Sequence, residues 1–189
     1  TAAELPPLES GVVSWGDVYG DGRLDLAWSG RSNGEPATRI YRNNNGSFAV
    51  LHVLEGVERS ALAWGDFDND GDLDLIVTGY REGKPVTRLY RNGGSNNHAP
   101  GTMSLQDASL PDAGGGAVAW GDFDGDGDLD LLLCGDTADY SLPPPRCVAP
   151  PYVLRPPGAS YLCLNTAGQA PQPVTKLLRE FGHLPLDHG

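Results

Sequence analysis

Trp64-Gly-Asp-Phe-Asp-Asn-Asp-Gly-Asp-Leu-Asp-Leu-Ile-Val-Thr-Gly79 is an acidic, glycine-bearing loop that runs straight into an apolar strand, and the pattern occurs three times. The other copies are Trp15-Gly-Asp-Val-Tyr-Gly-Asp-Gly-Arg-Leu-Asp-Leu-Ala-Trp-Ser-Gly30 and Trp120-Gly-Asp-Phe-Asp-Gly-Asp-Gly-Asp-Leu-Asp-Leu-Leu-Leu-Cys-Gly135. The leading tryptophans set periods of 49 and 56 residues (64 − 15 and 120 − 64). Periods of this length are those of a four-stranded propeller blade.

Each unit continues alike. Thr38-Arg-Ile-Tyr-Arg-Asn43 returns as Thr87-Arg-Leu-Tyr-Arg-Asn92 and, more loosely, as Tyr161-Leu-Cys-Leu-Asn165, each soon followed by a glycine. One unit therefore reads as a short strand ending at the Trp, the acidic loop, an apolar strand, a glycine turn, the Arg/Tyr strand and a last strand such as Phe48 to Leu54. The apolar strand has no polar face, as expected of a strand covered on both sides. The aromatic residues at fixed phase are expected to fill the space between sheets. The fold class is all-β: three blades of four antiparallel strands, a partial propeller, with units at about 10–58, 59–114 and 115–181. The third unit is longer by 17 residues, since Trp120 to Asn165 spans 45 and Trp15 to Asn43 spans 28. The added segment, at about 136–159, is rich in proline and cannot join a central strand. A propeller ring closes with four to eight blades. Three blades imply either further repeats in a longer chain or blades of another copy or subunit covering the open sides.

Composition agrees. The 26 glycines and 16 prolines among 189 residues suit short strands and tight turns. No apolar run reaches the length of a membrane span, and Thr1 to Pro7 lack the character of a signal peptide. The net charge of −12 argues against a nucleic-acid partner, which clustered Lys and Arg would grip. The three loops hold 13 of the 25 acidic residues, a clustering that points to cations.

Asp66-x-Asp68-x-Asp70-Gly71-Asp72-x-Asp74 and Asp122-x-Asp124-x-Asp126-Gly127-Asp128-x-Asp130 both follow D-x-D-x-D-G-x-x-D. Calcium takes six to eight hard oxygen ligands, which alternate carboxylates in a tight loop supply. By analogy with the helix-flanked calcium loop, the first, third, fifth and ninth positions offer side-chain oxygens, and Asp72 and Asp128 their main-chain carbonyls. Magnesium is the weaker alternative, and a pair of solvated turns without metal the other. In the first loop, Asp17, Asp21, Arg23 and Asp25 keep the frame, but Tyr19 replaces the third-position carboxylate. Two calcium ions are expected, and a third, weaker site at the first loop.

These units resemble the FG-GAP/VCBS repeats of integrin α-subunit propellers, lectin-like propellers and many secreted proteins. The resemblance covers essentially the whole chain. It implies a calcium loop between the first two strands of each blade, an extracellular or cell-surface location, and a ligand bound on another face or between blades. Trp-Gly-Asp stands where Phe-Gly-x is common in integrins, which argues against an integrin-type partner. The expected function is a calcium-stabilised binding or adhesion module for protein or glycan. A structural subunit of an extracellular assembly and the non-catalytic part of a propeller lyase or hydrolase are the alternatives. The chain is not expected to be an enzyme itself, because His52, His98, His183 and His188 share no spacing and no nucleophile motif is present. Cys147, inside the proline-rich segment, is expected to form a disulfide with Cys134 or Cys163. Asn45-Gly46-Ser47 is an N-glycosylation sequon. Arg39, Arg42, Arg88 and Arg91 flank the tyrosines at matching phase, either as a cationic stripe for an acidic ligand or as partners of nearby acidic residues.

Overall fold

A computed structural model describes residues 5–93, 102–108, 110–122, 125 and 127–136, with the backbone of 159–164 and 172–173. The described residues form strands and turns and no helix. The first sheet takes β1 (Glu9–Gly16), β2 (Asp25–Ser32), β3 (Glu35–Asn44) and β4 (Ser47–Leu54) in chain order. The second takes β5 (Glu58–Gly65), β6 (Asp74–Arg81), β7 (Lys84–Asn92) and β8 (Met103–Gln106) in the same way. A third sheet rests on β9 (Gly114–Gly121) and β10 (Asp130–Asp136), to which the backbones of β11 (Ala159–Leu164) and β12 (Gln172–Pro173) add. Every pairing is antiparallel. The proline-rich segment, Cys147 and His98, His183 and His188 lie outside the described residues.

The strands begin and end where local chemistry requires. Asn33-Gly34 and Asn45-Gly46 both hold positive φ (52° and 83°, 55° and 89°), the two-residue turn whose twist matches its flanking strands. Asn45 is exposed at the tip of the β3–β4 turn. The start of the first strand carries a bulge in the first two sheets, at Glu9/Val12 and Glu58/Ala61, with Ser10 and Arg59 held at φ 49°.

Packing is between sheets. Ala27, Ile40 and Val18 of the first unit bury against Leu62, Leu75, Val77 and Tyr90 of the second. Phe67, Ile76 and Leu89 of the second bury against Leu131 and Leu133 of the third, with Val118 and Trp120 at the margin. Asp74-Leu-Ile-Val-Thr-Gly79 is buried at every residue, which explains why this strand has no polar face in sequence. Each Trp-Gly step fits the next one: a Cβ built on Gly16 would lie 2.9 Å from Cδ1 of Trp64, and one on Gly65 2.7 Å from Cδ1 of Trp120. Trp120 also stacks on Phe67 and donates from Nε1 to the carbonyl of Ala63 at 3.4 Å. The aromatic filling expected from sequence holds for Trp28, Tyr41, Trp64, Tyr90 and Trp120 but not for Trp15, which is 54% exposed, with the Phe48 ring 5.9 Å from its own.

Candidate metal centre

All three acidic loops use one scaffold. The first carboxylate folds the loop onto itself: Asp66 accepts from the backbone N–H of Asp70 and Gly71 (3.0 and 2.9 Å), Asp17 from Asp21 and Gly22 (3.0 and 2.8 Å), and Asp122 from Gly125 and Gly127 (2.8 and 3.1 Å). The coil needs left-handed residues at two places, supplied by Asn69 and Gly71 at φ 57° and 91°. The ninth carboxylate is the anchor. Buried Asp74 accepts from Phe67 N–H at 3.0 Å and from Asn92 N–H, at the end of β7, at 2.8 Å. Asp25 repeats this with Tyr19 and Asn43 (3.2 and 2.8 Å).

In the second loop Asp66, Asp68 and Asp74 converge, each offering one carboxylate oxygen within 4.8 Å of the others. Asp68 Oδ1 is buried without a hydrogen-bond partner. Burial, reinforced by the charges of Asp68 and Asp70, pushes the Asp74 carboxyl up to about 7. Three hard oxygen donors that are costly to leave charged and dry together fit a hard divalent cation. Asp70 stands apart from the trio: it accepts from Asp72 N–H at 3.1 Å and pairs with Arg91 at 2.8 Å. In the third loop, Asp122, Asp128 and buried Asp130 keep the frame, with Asp128 accepting from Asn69 Nδ2 at 2.5 Å; Asp124 and Asp126 lie outside the described residues.

The first loop is built differently. Asp21 pairs with Arg23 and with Arg42, the latter at 3.2 Å, and the Arg42 guanidinium lies 3.4 Å from the centre of the Tyr19 ring. Its carboxyl feels some desolvation, but the hydrogen bonds and charges of Arg42 and Arg23 outweigh it and hold the group below its usual range. Arg23 thus contributes its side chain to Asp21, where the sequence pattern asks only for its carbonyl. Arg42 and Arg91 hold the same place in both loops, so the first loop differs in adding the Arg23 side chain and in having Tyr19 where the second has Asp68.

The arginines of the third strand act within the fold. Arg91 pairs with Asp68 and Asp70, Arg88 with Glu55 (2.5 Å), and Arg39 lies 5.5 Å over the Trp28 ring. No free cationic stripe results. Sequence reasoning missed Asn43 and Asn92, whose backbones hold the anchoring carboxylates; their fixed place after Tyr-Arg was the available signal. Among the described residues Cys134 is a free thiol with Sγ 3.5 Å from the Ala117 carbonyl, while Cys147 and the side chain of Cys163, the other members of the expected disulfide, lie outside the described residues.

Arg91 shares Asp68 with any bound ion, so its removal is expected to strengthen binding. Arg91→Gln should tighten calcium roughly tenfold, because a unit charge within contact distance of the site is lost. Calorimetric titration against the parent chain checks this; weaker binding would show that Arg91 holds the loop in shape instead.

No curated protein and no solved structure matches the chain significantly. A family model described as the FG-GAP-like repeat matches residues 17–77 and again 66–133. The two matches span more than half of the 189 residues and begin at the carboxylates Asp17 and Asp66 that fold the loops. The chain belongs to the FG-GAP-like repeat family.

Proposed function

We propose that this chain is a calcium-stabilised, non-catalytic module of three propeller blades that recognises a protein or glycan outside the cell or at its surface. The convergence of Asp66, Asp68 and Asp74 carries the reading. An ion there ties the start of the loop to the end of β7 through Asp74 and Asn92, so its role is to stiffen a blade. The third loop takes a second ion by repetition, and the first relies on Arg23 and Arg42.

The ligand is assigned to the opposite end of the blades, in a cleft of about 460 Å³ lined by Ser10, Arg31, Glu58, Arg59 and Tyr80. Ser10 and Arg59 hold left-handed backbone there, a conformation that costs free energy and clusters at binding sites. Exposed Arg59 lies 5.8 Å from the Tyr80 ring centre, giving a polar and aromatic surface suited to hydroxyl or carboxylate groups. No helix among the described residues is long and apolar enough to cross a membrane.

Two measurements test the proposal. Calcium should raise the melting temperature of the chelated chain, and Asp68→Ala should remove most of that rise, while Asp21→Ala changes it little. Arrays of glycans and of extracellular proteins, probed with calcium-loaded chain, should retain it, and Arg59→Ala should weaken retention. An unchanged melting temperature together with empty arrays would refute the reading.

A further inference from the structure

The acidic loops of the first and second units are joined through one side chain, and we infer that Asn92 makes the first loop respond to the cation held by the second. The inference rests on the cation reading of the second loop and is independent of the ligand.

The two anchoring carboxylates see the same two kinds of donor. Asp74 accepts from the backbone N–H of Phe67 and of Asn92, and Asp25 from those of Tyr19 and Asn43. Asn43 and Asn92 hold equivalent places at the ends of β3 and β7, yet their side chains part. Asn43 works within its own unit: its Nδ2 donates to the Leu24 carbonyl at 3.0 Å, and its Oδ1 accepts from the N–H of Gly46 at 2.7 Å. Asn92, only 2% exposed, crosses to the neighbouring unit, where its Nδ2 donates to the Val18 carbonyl at 3.2 Å.

The peptide group between Val18 and Tyr19 completes the path. Its carbonyl takes the Asn92 side chain, and its N–H donates to Asp25 at 3.2 Å. Asp25 and Asp74, the anchors of successive loops, are thus connected by one peptide group and one asparagine. The path runs through packed interior, because buried Val18 lies among Leu62, Leu75, Val77 and Tyr90 of the second unit. Hydrogen bonds in such a chain polarise one another, and a low local dielectric strengthens each. A cation on Asp66, Asp68 and Asp74 fixes the Asp74 carboxylate, and with it the backbone and the side chain of Asn92. The first loop has Tyr19 in place of a third-position carboxylate and pairs Asp21 with Arg23 and Arg42. It gains order from an ion that it does not hold.

Amide hydrogen exchange of the 189-residue chain, followed residue by residue by NMR as calcium is added to chelated protein, tests this. The Tyr19 amide should slow by about tenfold, the effect of one or two net hydrogen bonds, at the same calcium concentration as the amides of Phe67 and Asn92. Asp68→Ala should abolish the response in both units. Asn92→Ala keeps the backbone N–H on Asp74, so calcium should still slow the Phe67 amide, with a midpoint within about threefold of the parent's, while the Tyr19 amide no longer responds. Asn43→Ala removes the equivalent side chain from the first unit and should leave the Tyr19 response in place. If Asn92→Ala fails to fold, the matched midpoints of Tyr19 and Phe67 in the parent chain decide. A Tyr19 amide that ignores calcium in the parent, that responds only at higher calcium than Phe67, or that still responds in Asn92→Ala would overturn the inference. Calcium that slows Phe67 but not Tyr19 would overturn the joint alone, whereas calcium without effect on either would overturn the cation reading as well.

Discussion

In the presence of a chelator the chain is expected to become less stable as the pH rises from about 5 to about 8, the reverse of the usual behaviour of a protein rich in paired carboxylates. The cause is Asp74. Its carboxyl titrates at about 7 in the folded, metal-free chain, because it is buried and faces Asp68 and Asp70. Unfolded, it titrates near 3.9. Between these values the folded state holds a proton that the unfolded state has released, so the stabilisation is complete below the lower value and is lost as the pH climbs through the upper. The difference amounts to about 2–4 kcal/mol after allowance for water entering the loop. Asp25, raised by burial in the first loop, contributes in the same sense. Calcium should invert the slope, since the ion competes with the proton for the same oxygens and wins where the carboxylate is charged. Urea denaturation at the two pH values, with chelator and with calcium, measures both slopes. Equal stability at both pH values in chelator would mean that Asp74 is charged and compensated without the ion.

The second large effect is steric. Gly65→Ala places a methyl group 2.7 Å from Cδ1 and 2.8 Å from Cγ of Trp120, a ring already fixed against Phe67. Neither the ring nor the backbone of β5 can yield without opening the contact between the second and third units. The substitution should cost about 1–3 kcal/mol and lower the melting temperature. Gly121→Ala adds the same methyl group where no described atom lies within 4 Å and should change the stability of the single chain by less than about 0.5 kcal/mol. Melting both variants at low protein concentration gives the comparison. Equal effects would show that the glycines are retained for the chain direction and not for the tryptophan that covers them.

The strand plan was legible because the sequence states it three times. Trp15, Trp64 and Trp120 mark the end of one strand, and Asp25, Asp74 and Asp130 the start of the next, as observed. The coil of the loops was legible as well, since alternate Asp with Gly at the sixth position has few other physical uses. Two features were not. Arg91 lies more than 20 residues from Asp68, and only the pairing of β6 with β7, Leu75 opposite Tyr90, brings its side chain to the loop. Trp15 is followed by Gly-Asp as Trp64 is, yet its exposure differs, because burial depends on the adjacent blade and not on the segment that bears the residue.

The tryptophan and the glycine that receives its counterpart are consecutive residues in every unit, at 15–16, 64–65 and 120–121. Each unit therefore carries both halves of the joint in a single dipeptide. A gene segment of one unit's length that is copied or deleted anywhere in such an array leaves every remaining junction matched, because the unit upstream still ends in a socket and the unit downstream still begins with a knob. Copy number can drift while the joint stays the same, and a tryptophan lost by mutation damages one junction only. Relatives of this chain should accordingly differ in the number of units far more than in this dipeptide.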